Sequence, residues 1–355
     1  MNLRTATIAI LSGLVACALP PRQNETNTAR TEQGLAVSAA PPIIRLRHRG
    51  TNLSGGEFGS VVPGTYDRDY RYPGPVEVDY FVARRMNHFR IPFRHERLQR
   101  TLKTALNEEE WTRLLAVIDY TLSKGASVTI EPHNYARFNG RVVTETEFGD
   151  FWGRVAVRLK TRDRIYLNLT NEPHDLPTEQ WVKLANAALK EIRAVGFRGP
   201  VVVPGNGWAG GGHWASNWYG TPNSVAMLNV VDPANNVIFE VHQYLDANAD
   251  GSGDCVSATI GVERLSAFTS WLHSNKKHGF LGEIGAPNTT KCQAAVKKTL
   301  EFVESHYDVW VGWLWWSAGV WSFATTYPLS IGPVKDGEPD KPQMTWLANF
   351  LSCER

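Results

Sequence analysis

Ile165-Tyr166-Leu167-Asn168-Leu169-Thr170-Asn171-Glu172-Pro173 is the stretch that decides the fold. An apolar run ends abruptly in two polar residues and a proline, so it reads as a short buried strand, 165–171, that delivers Asn171 and Glu172 at its C-terminal end. Gly279-Phe280-Leu281-Gly282-Glu283 ends the same way in Glu283. Working outward, further strand candidates lie at 43–52, 86–92, 127–132, 200–204, 237–242 and 309–316. Their spacing of roughly 40 residues suits a strand, a helix and two loops. Segments 108–123, 144–159, 178–195, 262–276 and 293–305 carry helical apolar spacing with charged opposite faces. Asn107-Glu108-Glu109-Glu110 and Thr178-Glu179-Gln180 look like capped helix starts, and Lys124-Gly125 and Val195-Gly196 like helix stops.

Eight such units in a row predict an α/β fold built as a single (β/α)8 barrel over residues 43–355, rather than a doubly wound sheet. No dinucleotide-binding glycine fingerprint or phosphate loop is found. Arg90, His133, Asn171, Glu172, His242, Tyr244, Glu283 and Trp316 all fall at or just after the C-terminal ends of proposed strands. In a barrel those ends converge on one face, and that face hosts the active site. One polar residue at a strand end is ordinarily structural; the same pattern on six strands is hard to read that way. Two carboxylates on that face, far apart in sequence, are what hydrolysis of a glycosidic bond requires. One donates a proton to the leaving oxygen and the other attacks or stabilises an oxocarbenium-like centre.

The net charge of +2 is too small to imply a nucleic-acid partner, and the 37 basic residues are scattered. Of the 13 Trp, roughly half are expected in the core and the rest in glycine-flanked loops where they could stack on sugar rings. The loop from Gly205-Asn206-Gly207-Trp208 to Gly210-Gly211-Gly212-His213-Trp214 has no Lys-Ser/Thr to hold phosphate and is expected to line a cleft through Trp208 or Trp214. At the N-terminus, Arg4 and the apolar run 6–15 form a targeting segment, 1–17, too short to stay in a bilayer as a spanning helix. It ends in Leu14-Val15-Ala16-Cys17, a lipobox-like string that predicts lipidation of Cys17; the alternative is ordinary secretory cleavage near Ala18. Residues 18–42 read as a flexible tether. Export implies an oxidising compartment, in which Cys255, Cys292 and Cys353 allow one disulfide and leave one thiol; spacing does not choose the pair.

Seven strings, in order, carry a family resemblance. They are Asn52-Leu53-Ser54-Gly55-Gly56-Glu57-Phe58-Gly59, Phe89-Arg90-Ile91-Pro92-Phe93 with Glu96-Arg97-Leu98-Gln99, Pro132-His133-Asn134-Tyr135-Ala136-Arg137, Asn171-Glu172-Pro173-His174, His242-Gln243-Tyr244-Leu245-Asp246, Gly282-Glu283-Ile284-Gly285 and Gly312-Trp313-Leu314-Trp315-Trp316-Ser317-Ala318-Gly319. From about Arg49 to its C-terminus the chain resembles glycoside hydrolase family 5, most closely the fungal-type endo-β-1,4-glucanase branch. The resemblance implies retaining hydrolysis of a β-1,4-glucan by a monomer, without metal or cofactor, with Glu172 as acid/base and Glu283 as nucleophile. Arg90 and Tyr244 would keep Glu283 charged, and a weakly compensated, Trp-rich setting would keep Glu172 protonated. Asn171 would bond the sugar 2-hydroxyl, His133 and His242 would orient substrate and carboxylates, and Trp316 would stack the sugar on the non-reducing side. The resemblance also implies a Cys255–Cys292 disulfide, leaving Cys353 free.

The chain departs from the branch at His95, where Trp is usual, so one aromatic near the substrate entrance is expected to be lost. It departs again after Trp321, at Ser322-Phe323-Ala324-Thr325, and at Ile331-Gly332-Pro333. Asp246-Ala247-Asn248-Ala249-Asp250-Gly251 mimics the start of a calcium loop, but its twelfth position is Ser257 instead of a bidentate Glu, so it reads as a polar loop. The rival readings are another endo-β-glycanase specificity (mannan, xyloglucan or mixed-linkage glucan) and a catalytically silent carbohydrate-binding protein on the same barrel. The expected setting is outside the cytoplasm, as an outer-membrane lipoprotein or a secreted protein.

Overall fold

The computed structural model describes residues 46–320, 327–334 and 338–352. The targeting segment with Cys17, the tether 18–42, the departure at 321–326 and Cys353 lie outside the described residues. Eight parallel strands close into a barrel: β1 (His48–Ser54), β2 (His88–Phe93), β3 (Ser127–Pro132), β4 (Ile165–Asn168), β5 (Val201–Pro204), β6 (Val237–His242), β7 (Gly279–Ile284) and β8 (Trp310–Gly319). Each pairs with its neighbours in chain order and β8 returns to β1. β3 and β7 are buried at every position. Inward side chains fill the barrel and outward ones lie under helices, so these strands read as apolar runs rather than as alternation.

The surrounding helices are α1 (Pro75–Ala83), α2 (Glu108–Ser123), α3 (Glu145–Leu159), α4 (Thr178–Ala194), α5 (Ile260–Asn275), α6 (Thr290–Ser305) and α7 (Pro342–Leu351). Of the two caps read from the sequence one is found, and α3 adds another. Asn107 accepts from the Glu110 N–H, and Thr144 with Glu147 closes a capping box. Thr178 differs: Pro177 takes the cap position, and the Thr178 hydroxyl donates to the Tyr219 carbonyl at 3.2 Å. That bond ties α4 to the loop after β5. This loop replaces the fifth helix and contains the short helix Asn223–Ala226 with 3-10 turns at Gly211–His213 and Met227–Asn229. Its length gives the cleft a wall that the other units do not supply.

Two boundary differences matter for the site. β4 ends at Asn168, so Asn171 and Glu172 sit in the turn beyond it, and Glu172 has φ +34°. A non-glycine residue there stores roughly 1–3 kcal/mol of backbone strain, which the neighbouring packing must hold. β8 runs to Gly319, three residues past Trp316. The floor of the barrel interior is a ring cluster in which His48 meets His88 edge-on at 4.6 Å, with Tyr166 and Phe280 against both. Cys255 and Cys292 form a disulfide, Cα to Cα 5.2 Å, that joins the loop after β6 to the first turn of α6.

Candidate active site

Arg90, fully buried on β2, is the centre from which the site is built. Its Nη1 donates to Asn52 Oδ1 at 2.8 Å and Glu283 Oε1 at 2.9 Å, and its Nη2 to Asn171 Oδ1 at 2.7 Å. Glu131 and Glu240 flank it at 3.4 and 3.7 Å. Burial works against its charge, but Glu131, Glu240 and Glu283 outweigh burial and hold it above its ordinary value.

The two glutamates around Arg90 were missed from sequence, although a signal was there. Glu131-Pro132-His133 and Glu240-Val241-His242 each place an acid two residues before a histidine, and the two-residue period of a strand puts both on one face. In the fold, His133 Nδ1 lies 2.7 Å from Glu131 Oε1, and His242 Nε2 lies 2.7 Å from Glu240 Oε1. Each acid thereby fixes which nitrogen its histidine presents to the cleft. Arg90 fixes the Asn171 amide by taking its oxygen, so the amide NH2 faces His133 Nε2 at 3.1 Å and that nitrogen accepts. Asn168 also donates to Glu240. Glu240 needs the space at Gly282, where an added Cβ would fall 2.5 Å from its carboxyl.

Glu172 and Glu283 face each other with His242 between them. Glu283 accepts from Arg90 and, through Oε2, from the Tyr244 hydroxyl at 2.6 Å. His242 Nδ1 lies 2.7 Å from Glu172 Oε1 and 3.5 Å from Glu283 Oε2, and one oxygen of each glutamate lies within 4.8 Å of the other. Burial opposes a proton on His242, but Glu283, Glu172 and Glu240 outweigh it and push the imidazole up to about 10. Burial and the charge of Glu172 push the Glu283 carboxyl up, against His242 and Arg90. Burial acts on Glu172 too, but the hydrogen bond and charge of His242, with Arg90, draw it down. The expected Trp-rich, uncompensated setting for Glu172 is therefore corrected. Its nearest partner, one hydrogen bond away, is the His242 imidazole, whose hold on a proton is strengthened by the surrounding carboxylates.

A cleft of about 610 Å³ runs across this face. On one side Trp316 stacks on His133, ring centroids 5.6 Å apart and planes 20° off parallel. On the other, Trp208, 41% exposed, and Trp218, 53% exposed, rise from the loop after β5. Trp214 does not belong with them. It is 1% exposed and packs edge-on against Phe268 and Trp271 at 4.5 and 4.9 Å, so it is core under the loop and not a sugar surface. His95 is likewise buried, 3.9 Å from the Phe151 ring and 5.2 Å from Phe138, so its substitution for Trp does not alter the cleft entrance.

Two facing carboxylates at the mouth of a parallel barrel, between ring-bearing walls, define the class of barrel glycoside hydrolases. Residues 71–319 match the model of the cellulase family, glycosyl hydrolase family 5, and the chain belongs to that family. It is 38% identical over 275 residues to the endo-β-1,4-glucanase B of Aspergillus niger, covering 77% of this chain and 81% of that one. A crystal structure of an endo-β-1,4-glucanase from Xanthomonas axonopodis pv. citri is 39% identical and superposes with a TM-score of 0.83 over 86% of this chain and 98% of its own. The complex of XacCel5A with cellopentaose is 36% identical, with a TM-score of 0.84 over 86% of this chain and 99% of that one.

Proposed function

We propose that this protein is an endo-β-1,4-glucanase that cleaves internal bonds of cellulose-type glucans with retention of configuration. The observation that carries the reading is that the two carboxylates share one imidazole nitrogen, His242 Nδ1 lying 2.7 Å from Glu172 Oε1 and 3.5 Å from Glu283 Oε2, with an oxygen of each glutamate within 4.8 Å of the other. Retention needs the carboxyl groups about 5–5.5 Å apart, whereas inversion needs roughly 6.5–9.5 Å to admit a water. Glu283 is the nucleophile, because both its oxygens accept bonds that the anion strengthens, from Arg90 and Tyr244. Glu172 is the acid/base. Its partner is titratable, so a proton from His242 Nδ1 passes through the Glu172 carboxyl to the leaving oxygen in the first step, and in the second the Glu172 carboxylate takes a proton from the attacking water and returns it to His242. Asn171, with its oxygen held by Arg90, keeps a donor for the 2-hydroxyl. Trp316 stacks the sugar on the non-reducing side of the cut and Trp208 the sugar that leaves. A cleft with rings on both sides of the carboxylates suits attack within a chain. The cellopentaose held by a relative of this fold supports a β-1,4-glucan as substrate.

Incubation with carboxymethylcellulose should release reducing ends while viscosity falls steeply. Proton NMR of the first products from a soluble cello-oligosaccharide should show the β anomer, and initial α product would refute retention. A parallel panel of mannan, xyloglucan and mixed-linkage glucan tests the specificity. The N-terminal segment supports export with Cys17 as lipid anchor, and the family resemblance supports a monomer. Palmitate labelling that Cys17→Ser abolishes, and the mass in solution, test both points.

A further inference from the structure

The catalytic assignment leaves one arrangement on the cleft face unused. His174, two residues past Glu172, lies flat against the indole of Trp208, centroids 3.5 Å apart and planes 8° off parallel. Tyr135 meets both rings edge-on, at 5.0 and 5.7 Å. His174 Nδ1 is 2.8 Å from Asp175 Oδ2, the Tyr219 hydroxyl donates to the other Asp175 oxygen at 3.0 Å, and Arg137 donates to the His174 carbonyl at 2.9 Å. The backbone is tied in the same place: the N–H groups of Gly207 and Trp208 both reach the Pro173 carbonyl, at 2.8 and 3.2 Å. Trp208 and Ala209, like Tyr135 and Ala136, hold left-handed φ between +51° and +59°. Three loops are thus held in costly conformations around one stacked pair.

From this we infer that His174 is a positioning residue, the backing that fixes the Trp208 indole as the floor for the leaving-group sugar and holds that sugar's oxygen in reach of Glu172. The inference rests on the glucanase reading and deepens it. An exposed indole on a loop would rotate about two side-chain torsions. Here one face is covered by imidazole, the backbone N–H of Trp208 is anchored to the carbonyl of the residue after Glu172, and the residue stays 41% exposed on the cleft. A glucopyranose with all substituents equatorial offers flat C–H faces to such a surface. An axial hydroxyl, as at C2 of mannose, would lift the ring on one face, so the leaving-group side selects gluco- and xylo-configured units.

The test compares two substrates that share the same glycone. Cellopentaose places sugars on the Trp208 side, whereas 2,4-dinitrophenyl β-cellobioside places only an activated phenol there. That phenol needs neither a sugar floor nor a proton. His174→Ala should lower kcat/KM on cellopentaose roughly five- to tenfold, mostly through KM, the size expected for losing one aromatic stack. It should change the dinitrophenyl substrate less than about twofold. His174→Phe, which keeps a flat ring but no charge, should restore most of the cellopentaose activity. Equal losses on both substrates, unchanged activity on cellopentaose, or failure of a folded His174→Phe to recover would each overturn the inference. The wild-type enzyme checks the underlying reading: failure to hydrolyse the dinitrophenyl substrate would overturn the glucanase assignment itself.

Discussion

His48 should make this barrel sensitive to acid, to a degree that the floor of the fold lets us calculate. The side chain is 9% exposed, its Nε2 lies 2.7 Å from the Tyr166 hydroxyl, and its buried Nδ1 has no hydrogen-bond partner. Burial, with the charge of Arg47, lowers its pKa from 6.5 to about 4. Between those values the unfolded chain binds a proton that the folded protein refuses. The contribution to stability is therefore complete above about pH 6.5 and is lost as the pH falls toward 4. Complete loss corresponds to roughly 3 kcal/mol, and most of it is expected between pH 7 and pH 4.5. His88, buried beside it and also held well below its ordinary value by burial, adds a loss of the same sign. His48→Gln keeps a hydrogen-bond partner for Tyr166 and removes the titration. At pH 7 it should cost about 1 kcal/mol in packing and hydrogen bonding. At pH 4.5 it should match or exceed the wild type. Urea unfolding followed by tryptophan emission at pH 7, 5.5 and 4.5 measures both curves. Parallel curves, with the variant below the wild type by the same amount at every pH, would refute the reasoning.

Three further outcomes follow from the site and its frame. Glu283→Gln should lower kcat by roughly 10⁴-fold or more while leaving the thermal unfolding profile near wild type, read by steady-state kinetics and circular dichroism. Arg90→Lys cannot reproduce the planar fork on Glu283, Asn52 and Asn171, so the nucleophile's pKa should rise further and the acidic limb of the pH–rate profile should move to higher pH, with kcat falling more than KM rises. The Cys255–Cys292 bridge spans a sequence separation of 37, for which chain entropy gives about 4 kcal/mol, so the double serine variant should lose roughly that in urea unfolding.

The barrel was legible because each unit carries its own local signal. Apolar runs closed by polar residues mark the strand ends, capping residues such as Asn107 mark the helix starts, and the spacing of the units is regular. Alternation of that kind has few packing solutions, and the closed parallel barrel places every strand end on one face. The proposed catalytic pair was legible for the same reason: Glu172 and Glu283 follow short apolar runs, and the strings around them carry a family resemblance.

Sequence alone thus determined the architecture, the pair of glutamates and the identity of most of the groups around them, since these depend on local periodicity and on residue type at strand ends. The tertiary structure decided what depends on proximity between segments distant in the chain. Only there does His242 come between the two carboxylates and reverse the charge expected of Glu172, because an imidazole from β6 meets the turn after β4. Trp208 and Trp214 stand six positions apart in one glycine-rich loop. One lies open on His174 and the other is sealed against Phe268 and Trp271, because the loop folds back over α5. Burial and charge compensation are sums over neighbours in space, and no reading along the chain contains that sum.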